Sequence, residues 1–117
     1  FDEKDKIITI ETPGGQKITL DDKAKALKLE DQNKNTVSLS DKGITIDSGK
    51  DIVLKAKGKV TITSTGNTTI DSKADVSLAG NNVKSKAKIA FKAEGAASAE
   101  LKASGNVVVK GSMVNIN

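Results

Sequence analysis

Apolar pairs two residues apart run through this chain, and from Gly43 to Gly80 they recur every eight residues. The pairs are Ile44/Ile46, Ile52/Leu54, Val60/Ile62, Thr68/Ile70 and Val76/Leu78, with only Thr68 less than fully apolar. A spacing of two places side chains on one face of a strand, whereas a helix face needs three or four. Eight is even, so the inside/outside alternation survives every repeat. With the first member of each pair as position p, position p+4 reads Ser48, Ala56, Ser64, Ser72 and Gly80, always small. Of the nine charged residues in this stretch, eight sit at odd offsets from p, Lys50 being the exception. The pattern predicts a stack of short strands with one dry face.

Beyond Gly80 the frame slips once. The next pair, Val83/Ser85, falls one residue early, followed by Phe91/Ala93, Ala99/Leu101 and Val107/Val109. Their p+4 positions, Ala87, Gly95, Ala103 and Gly111, are small again. A one-residue slip exchanges the two faces of a strand. Every charge from Lys84 to Lys110 stands on an even number, so the charges have moved with the frame.

The first third is less regular. After the charged lead FDEKDK come the pairs Ile8/Ile10, Ile18/Leu20, Leu27/Leu29 and Val37/Leu39, at spacings of seven to ten residues. Thr-Pro-Gly-Gly between the first two suits a type II turn, with Pro13 fixing φ and Gly14 taking φ > 0. Residues 23–30 have helical propensity, but their apolar positions trace no helical stripe, and they read as a strand. The chain thus divides into an irregular β lead-in region (1–42), an octad array (43–113) and a tip (114–117).

A repeat of this length predicts an all-β solenoid in which each unit buries its face only against neighbours. Two architectures fit: one chain coiled with three eight-residue sides per turn, or three chains wound together. Periodicity leaves both open, although a single coil needs end caps and no capping helix is visible. Two Phe, no Trp and no Tyr point to an interior too narrow for rings. With no Cys, disulfides and thiolate metal sites are excluded. No apolar run reaches membrane-spanning length. The chain begins at Phe1 without Met, and is expected to be part of a larger protein.

The net charge of +4 comes from lysine alone. Nucleic-acid readers lean on Arg and aromatic stacking, so no nucleic-acid partner is expected. The lysines read instead as a solvated strand face that resists edge pairing. Asp21-Asp22 and Asp47/Asp51 are weighed as catalytic or calcium carboxylates and assigned to turns, because no cleft and no Gly-Gly-x-Gly-x-Asp repeat accompanies them. The serines have no His to act as base. No catalytic residue, metal site or cofactor is expected. Phe91, at position p, reads as core rather than as a binding aromatic.

The runs TPGGQKITLDD, KLEDQNKNTVSL, SDKGITIDSGKDIVLKAKGKVTI and the ending ASGNVVVKGSMVNIN, in that order, resemble a known family. They are similar to the C-terminal needle of the valine-glycine repeat (VgrG) spikes of type VI secretion systems, relatives of contractile phage tail spikes. The resemblance implies an intertwined homotrimeric three-sided β-helix, a triangular prism, joined to a preceding hub and barrel region. It implies a trimer core of Ile44, Ile46, Ile52, Leu54, Val60, Ile62, Ile70, Val76, Leu78, Val83, Phe91, Leu101, Val107 and Val109. It also implies that Val114, Asn115, Ile116 and Asn117 meet a small tip protein, the proline-alanine-alanine-arginine (PAAR) repeat protein. The iron that some phage spikes hold through histidines is not carried over, since this chain has no His.

The expected function is mechanical: a rigid, non-enzymatic trimeric needle of a contractile injection system that crosses a target membrane and carries a tip or effector. Force from a contracting sheath would drive such a rod, so it needs no membrane affinity of its own. It would be assembled in the bacterial cytoplasm or on the particle, then delivered into the target envelope. The alternative is the β-solenoid stalk of a surface adhesin, or a carbohydrate-binding module.

Overall fold

A computed structural model describes all residues, 1–117. It is all-β, with no helix. Five strands follow one another: β1 (Ile7–Glu11), β2 (Lys17–Asp21), β3 (Ala26–Glu30), β4 (Thr36–Ser40) and β5 (Gly43–Asp47). They form one antiparallel sheet in chain order, β1-β2-β3-β4-β5, which does not close on itself. The chain falls into two compact units, Phe1–Ser64 and Thr65–Asn117. The sheet belongs to the first.

Each apolar pair of the lead-in region lands on one strand, and the register aligns the pairs across the sheet. One row runs Ile8, Leu20, Leu27, Leu39, Ile44, and the other Ile10, Ile18, Leu29, Val37, Ile46. Directly opposed apolar residues are the unit of sheet stabilisation, each pair contributing roughly 0.2–1 kcal/mol. The alternate positions carry polar partners: Glu11 faces Lys17, which faces Glu30 on the next strand. Lys28 and Glu30, two apart on β3, make an ion pair of 3.2 Å. Cross-strand partners therefore settle residues 26–30 as strand against their helical propensity.

The first hairpin differs from the expected turn. The Gly15 N–H donates to the Thr12 carbonyl at 3.0 Å, so Thr12–Gly15 is a β-turn, but the left-handed residue is Gly15 (φ 96°) and not Gly14. Thr12 N–H donates back to the Gln16 carbonyl at 2.9 Å. A type I turn followed by a left-handed residue matches the twist of flanking strands better than type II. Lys25 (φ 52°) closes the β2–β3 connection in the same way, its N–H reaching the Asp22 carbonyl at 3.3 Å. There Asp21 serves the turn: its Oδ1 accepts the Ala24 N–H at 2.9 Å.

The β3–β4 loop is built around Asp31. Its Oδ1 accepts the N–H groups of Asn33 and Asn35, both at 2.9 Å. Its Oδ2 accepts the Asn33 amide at 3.2 Å and the Asn35 amide at 2.9 Å. These bonds favour the ionised form, the Asn35 backbone contribution foremost, and hold the carboxyl below its ordinary value of 3.8 against the opposing effect of desolvation. A carboxyl lowered in the folded state stabilises it above the ordinary value, and that share is lost as pH falls through the lowered one. Asp31→Asn is therefore expected to melt below the parent at neutral pH. The gap between the two melting curves should close on acidification below the carboxylate range. A gap independent of pH would show that the charge on Asp31 plays no part.

Candidate assembly interface

Past Asp47 the chain forms no further strand. Bends replace hairpins, at Gly49–Lys50, Lys57–Gly58, Thr65–Gly66, Lys73–Ala74 and Asn81, then at Lys88–Ile89, Ala96–Ala97, Ser104–Gly105 and Ser112–Met113. They start eight residues apart, except that Asn81 to Lys88 is seven. Every bend opens at p+5, on both sides of the frame slip read from the apolar pairs. The backbone and the side-chain pattern therefore keep one frame.

The small residue at p+4 has a physical cause. Ser48 Oγ accepts the Lys50 N–H at 3.1 Å and lies 3.0 Å from the Asp51 carbonyl. Ser72 repeats this, accepting the Ala74 N–H at 3.2 Å and donating to the Asp75 carbonyl at 3.3 Å. The hydroxyl thus supplies both a donor and an acceptor to a backbone that has no ladder at the corner. Where glycine stands at p+4, the backbone itself closes in. A Cβ on Gly80 would sit 3.3 Å from the Asn82 carbonyl oxygen, and one on Gly111 3.0 Å from that of Met113. At Gly95 it would overlap the Ser98 carbonyl.

Asn35 joins the sheet to the first of these corners. Its Oδ1 accepts the Gly49 N–H at 3.1 Å and lies 2.9 Å from Ser48 Oγ. Sequence reasoning missed this tether and the p+4 caps. The signal was present in the serines, which recur at p+4 three times among the first four octads.

The residues expected to form a core stand open on this chain. No residue is buried anywhere. Ile44 is 71% exposed, Ile62 75%, Leu78 76% and Leu101 76%; Ile46, Ile52, Leu54, Val60, Ile70, Val76, Val83, Phe91, Val107 and Val109 are exposed as well. At the end of the chain Val114 and Ile116 are exposed, with Asn115 and Asn117 beside them. The accessible surface is 12214 Å². A compact monomer of this mass exposes about 6,100 Å² and its unfolded chain about 18,000 Å². The excess of about 6,000 Å² per chain exceeds what most obligate interfaces bury in total. The expected strands beyond Asp47 have no ladder here because a ladder needs a second backbone, and none of this chain's own segments supplies it.

A chain that carries its apolar rows on open backbone is an assembly segment rather than a self-contained domain. The family model of the phage baseplate V C-terminal trimerisation domain matches residues 7–85, more than half of the chain, and the chain belongs to that family. The match covers all five strands and the octads up to the frame slip. It agrees with the resemblance to the needles of contractile spikes, and makes the chain a component of a phage-tail-like spike. No curated protein matches it.

The corners give a direct test of the p+4 rule. Gly95→Ala forces a Cβ into the Ser98 carbonyl and is expected to cost about 1–3 kcal/mol. Gly105→Ala, with nothing within 4 Å of the added carbon, should leave the melting temperature within about a degree or two. Equal melting of the two variants would show that the corner geometry does not select glycine at p+4.

Proposed function

We propose that the chain is the shaft of a membrane-puncturing spike: three copies wound into a three-sided β-helix, non-enzymatic and rigid. The observation that carries this reading is the recurrence of exposed apolar pairs every eight residues, separated by corners, on a chain of a trimerisation family. Three copies meeting along these pairs would pair their backbones and remove the apolar rows from water. Continuous ladders and close-packed Val, Ile and small residues make such a rod stiff. The parent machine is a contractile injection system, of type VI secretion or of a phage-tail-like particle, with a hub region joined to this segment. The rod would reach the target envelope when the sheath contracts.

In this assembly Ile44, Ile46, Ile52, Leu54, Val60, Ile62, Ile70, Val76, Leu78, Val83, Phe91, Leu101, Val107 and Val109 face the axis. Light scattering should then return three times the chain mass of 12.2 kDa. Ile62→Asp would bring three carboxylates together without partners, at a cost of several kcal/mol per trimer. Thr61→Asp, facing out, should cost less than about 1 kcal/mol. A folded monomer at micromolar concentration, or equal melting of the two variants, refutes the arrangement.

At the end of the array no charged residue follows Lys110. Val114 and Ile116 of three copies would form a small apolar patch, with Asn115 and Asn117 offering uncharged donors and acceptors. An exposed apolar patch without charged neighbours calls for a cover. A separate tip protein, the PAAR-repeat protein of such machines, fits that place at one per trimer. Deletion of residues 114–117 is expected to abolish capture of the tip protein while the trimer melts as before; unchanged capture would end the idea.

A further inference from the structure

Lysine and acid are not mixed evenly along the chain. Residues 1–75 contain thirteen lysines and thirteen acids, so the net +4 lies wholly in residues 76–117, with six lysines and two glutamates. Within that region, no acidic residue occurs between Asp75 and Glu94, where Lys84, Lys86, Lys88 and Lys92 stand. All four occupy odd offsets from p, the side opposite the apolar pairs. Alternate residues on extended backbone are about 7 Å apart, within the screening length of about 8 Å at physiological salt. The lysines therefore act on an approaching anion together.

Ile89 stands in the middle of this run and has no place in the apolar pattern. It is at p+6, on the bend Lys88–Ile89, where other octads carry Lys50, Gly58, Gly66, Ala74, Asn82, Ala97, Gly105 or Met113. It is 99% exposed, against 67% for the neighbouring Phe91 at p. A branched aliphatic side chain at a corner, with lysines on both sides of it in sequence, suits an interface that offers phosphate outside and hydrocarbon just beneath. Nucleic acid would answer the charge but has no use for an aliphatic corner, and the run offers neither Arg nor an outward aromatic for base contact. Apart from Lys84, these residues lie beyond the stretch that matches the family.

We propose that Lys84–Lys92 is a contact surface for an anionic phospholipid membrane, with the lysines on the headgroup phosphates and Ile89 inserted at their base. In the three-chain shaft it would occur three times around one level of the rod. The proposal rests on the assembly reading for the outward direction of these side chains. It adds a lateral hold on the bilayer to a rod driven by force alone.

The test is flotation of the 117-residue chain with vesicles of phosphatidylcholine, with and without phosphatidylglycerol, light scattering being run on every variant. The expected result is binding only where phosphatidylglycerol is present, weakened by salt. Lys84→Ser/Lys86→Ser/Lys88→Ser should lose at least about tenfold in binding. Ile89→Ser should lose a smaller factor and keep the salt dependence. The matched triple Lys55→Ser/Lys57→Ser/Lys59→Ser removes the same charge elsewhere and should lose about twofold at most. Equal losses for the two triples, equal binding to uncharged vesicles, or tighter binding to a single-stranded oligonucleotide would overturn the proposal. A chain that binds as expected but scatters as a monomer would refute the three-chain shaft and leave the lipid surface standing. Should the first triple fail to assemble, Ile89→Ser, at a corner outside the apolar rows, decides alone: unchanged flotation refutes the anchor.

Discussion

A backbone amide must find a partner wherever water is excluded, and the whole chain is arranged by where that partner comes from. Up to Asp47 it comes from the next strand: five short strands fold back on one another, and each row of apolar side chains meets its counterpart across the ladder. After Asp47 the chain stops turning back, and its apolar pairs stand exposed. The same two-residue alternation serves both regimes. What changes at Asp47 is the connection, from hairpins that reverse the chain to corners that merely deflect it.

The corners themselves need no partner. At Ser48 and Ser72 a hydroxyl meets the backbone within its own octad, and at Gly80, Gly95 and Gly111 the carbonyl packs where a Cβ would stand. Asn35 fastens the first corner to the loop held by Asp31. The bends are therefore local, while the faces between them depend on assembly. That division explains how a chain with no buried residue still has a defined path.

Much of this was legible in the sequence, for a particular reason. Alternation is a property of single residues, so the five strands, the frame slip before Val83 and the strand at residues 26–30 could all be read directly. The choice between Gly14 and Gly15 could not, because Thr-Pro-Gly-Gly suits more than one turn type and only the backbone angles separate them. Nor could the tether from Asn35 to Gly49, which joins residues 14 apart through a side-chain amide. The smallness of p+4 was visible, but its cause lay in carbonyl positions that only coordinates supply. Beyond Asp47 alternation predicts strands, but this chain offers them no neighbouring strand to pair with.

The short step between Asn81 and Lys88 has a consequence for alignment. An array of identical eight-residue steps is a ruler without numbers: copies displaced by one step would match almost as well as copies in register. One seven-residue step breaks that equivalence. Chains displaced by a step would set the short interval of one against a full interval of another, and the apolar rows beyond it would face opposite sides. In an assembly of copies the irregularity would act as a notch that leaves them one common alignment.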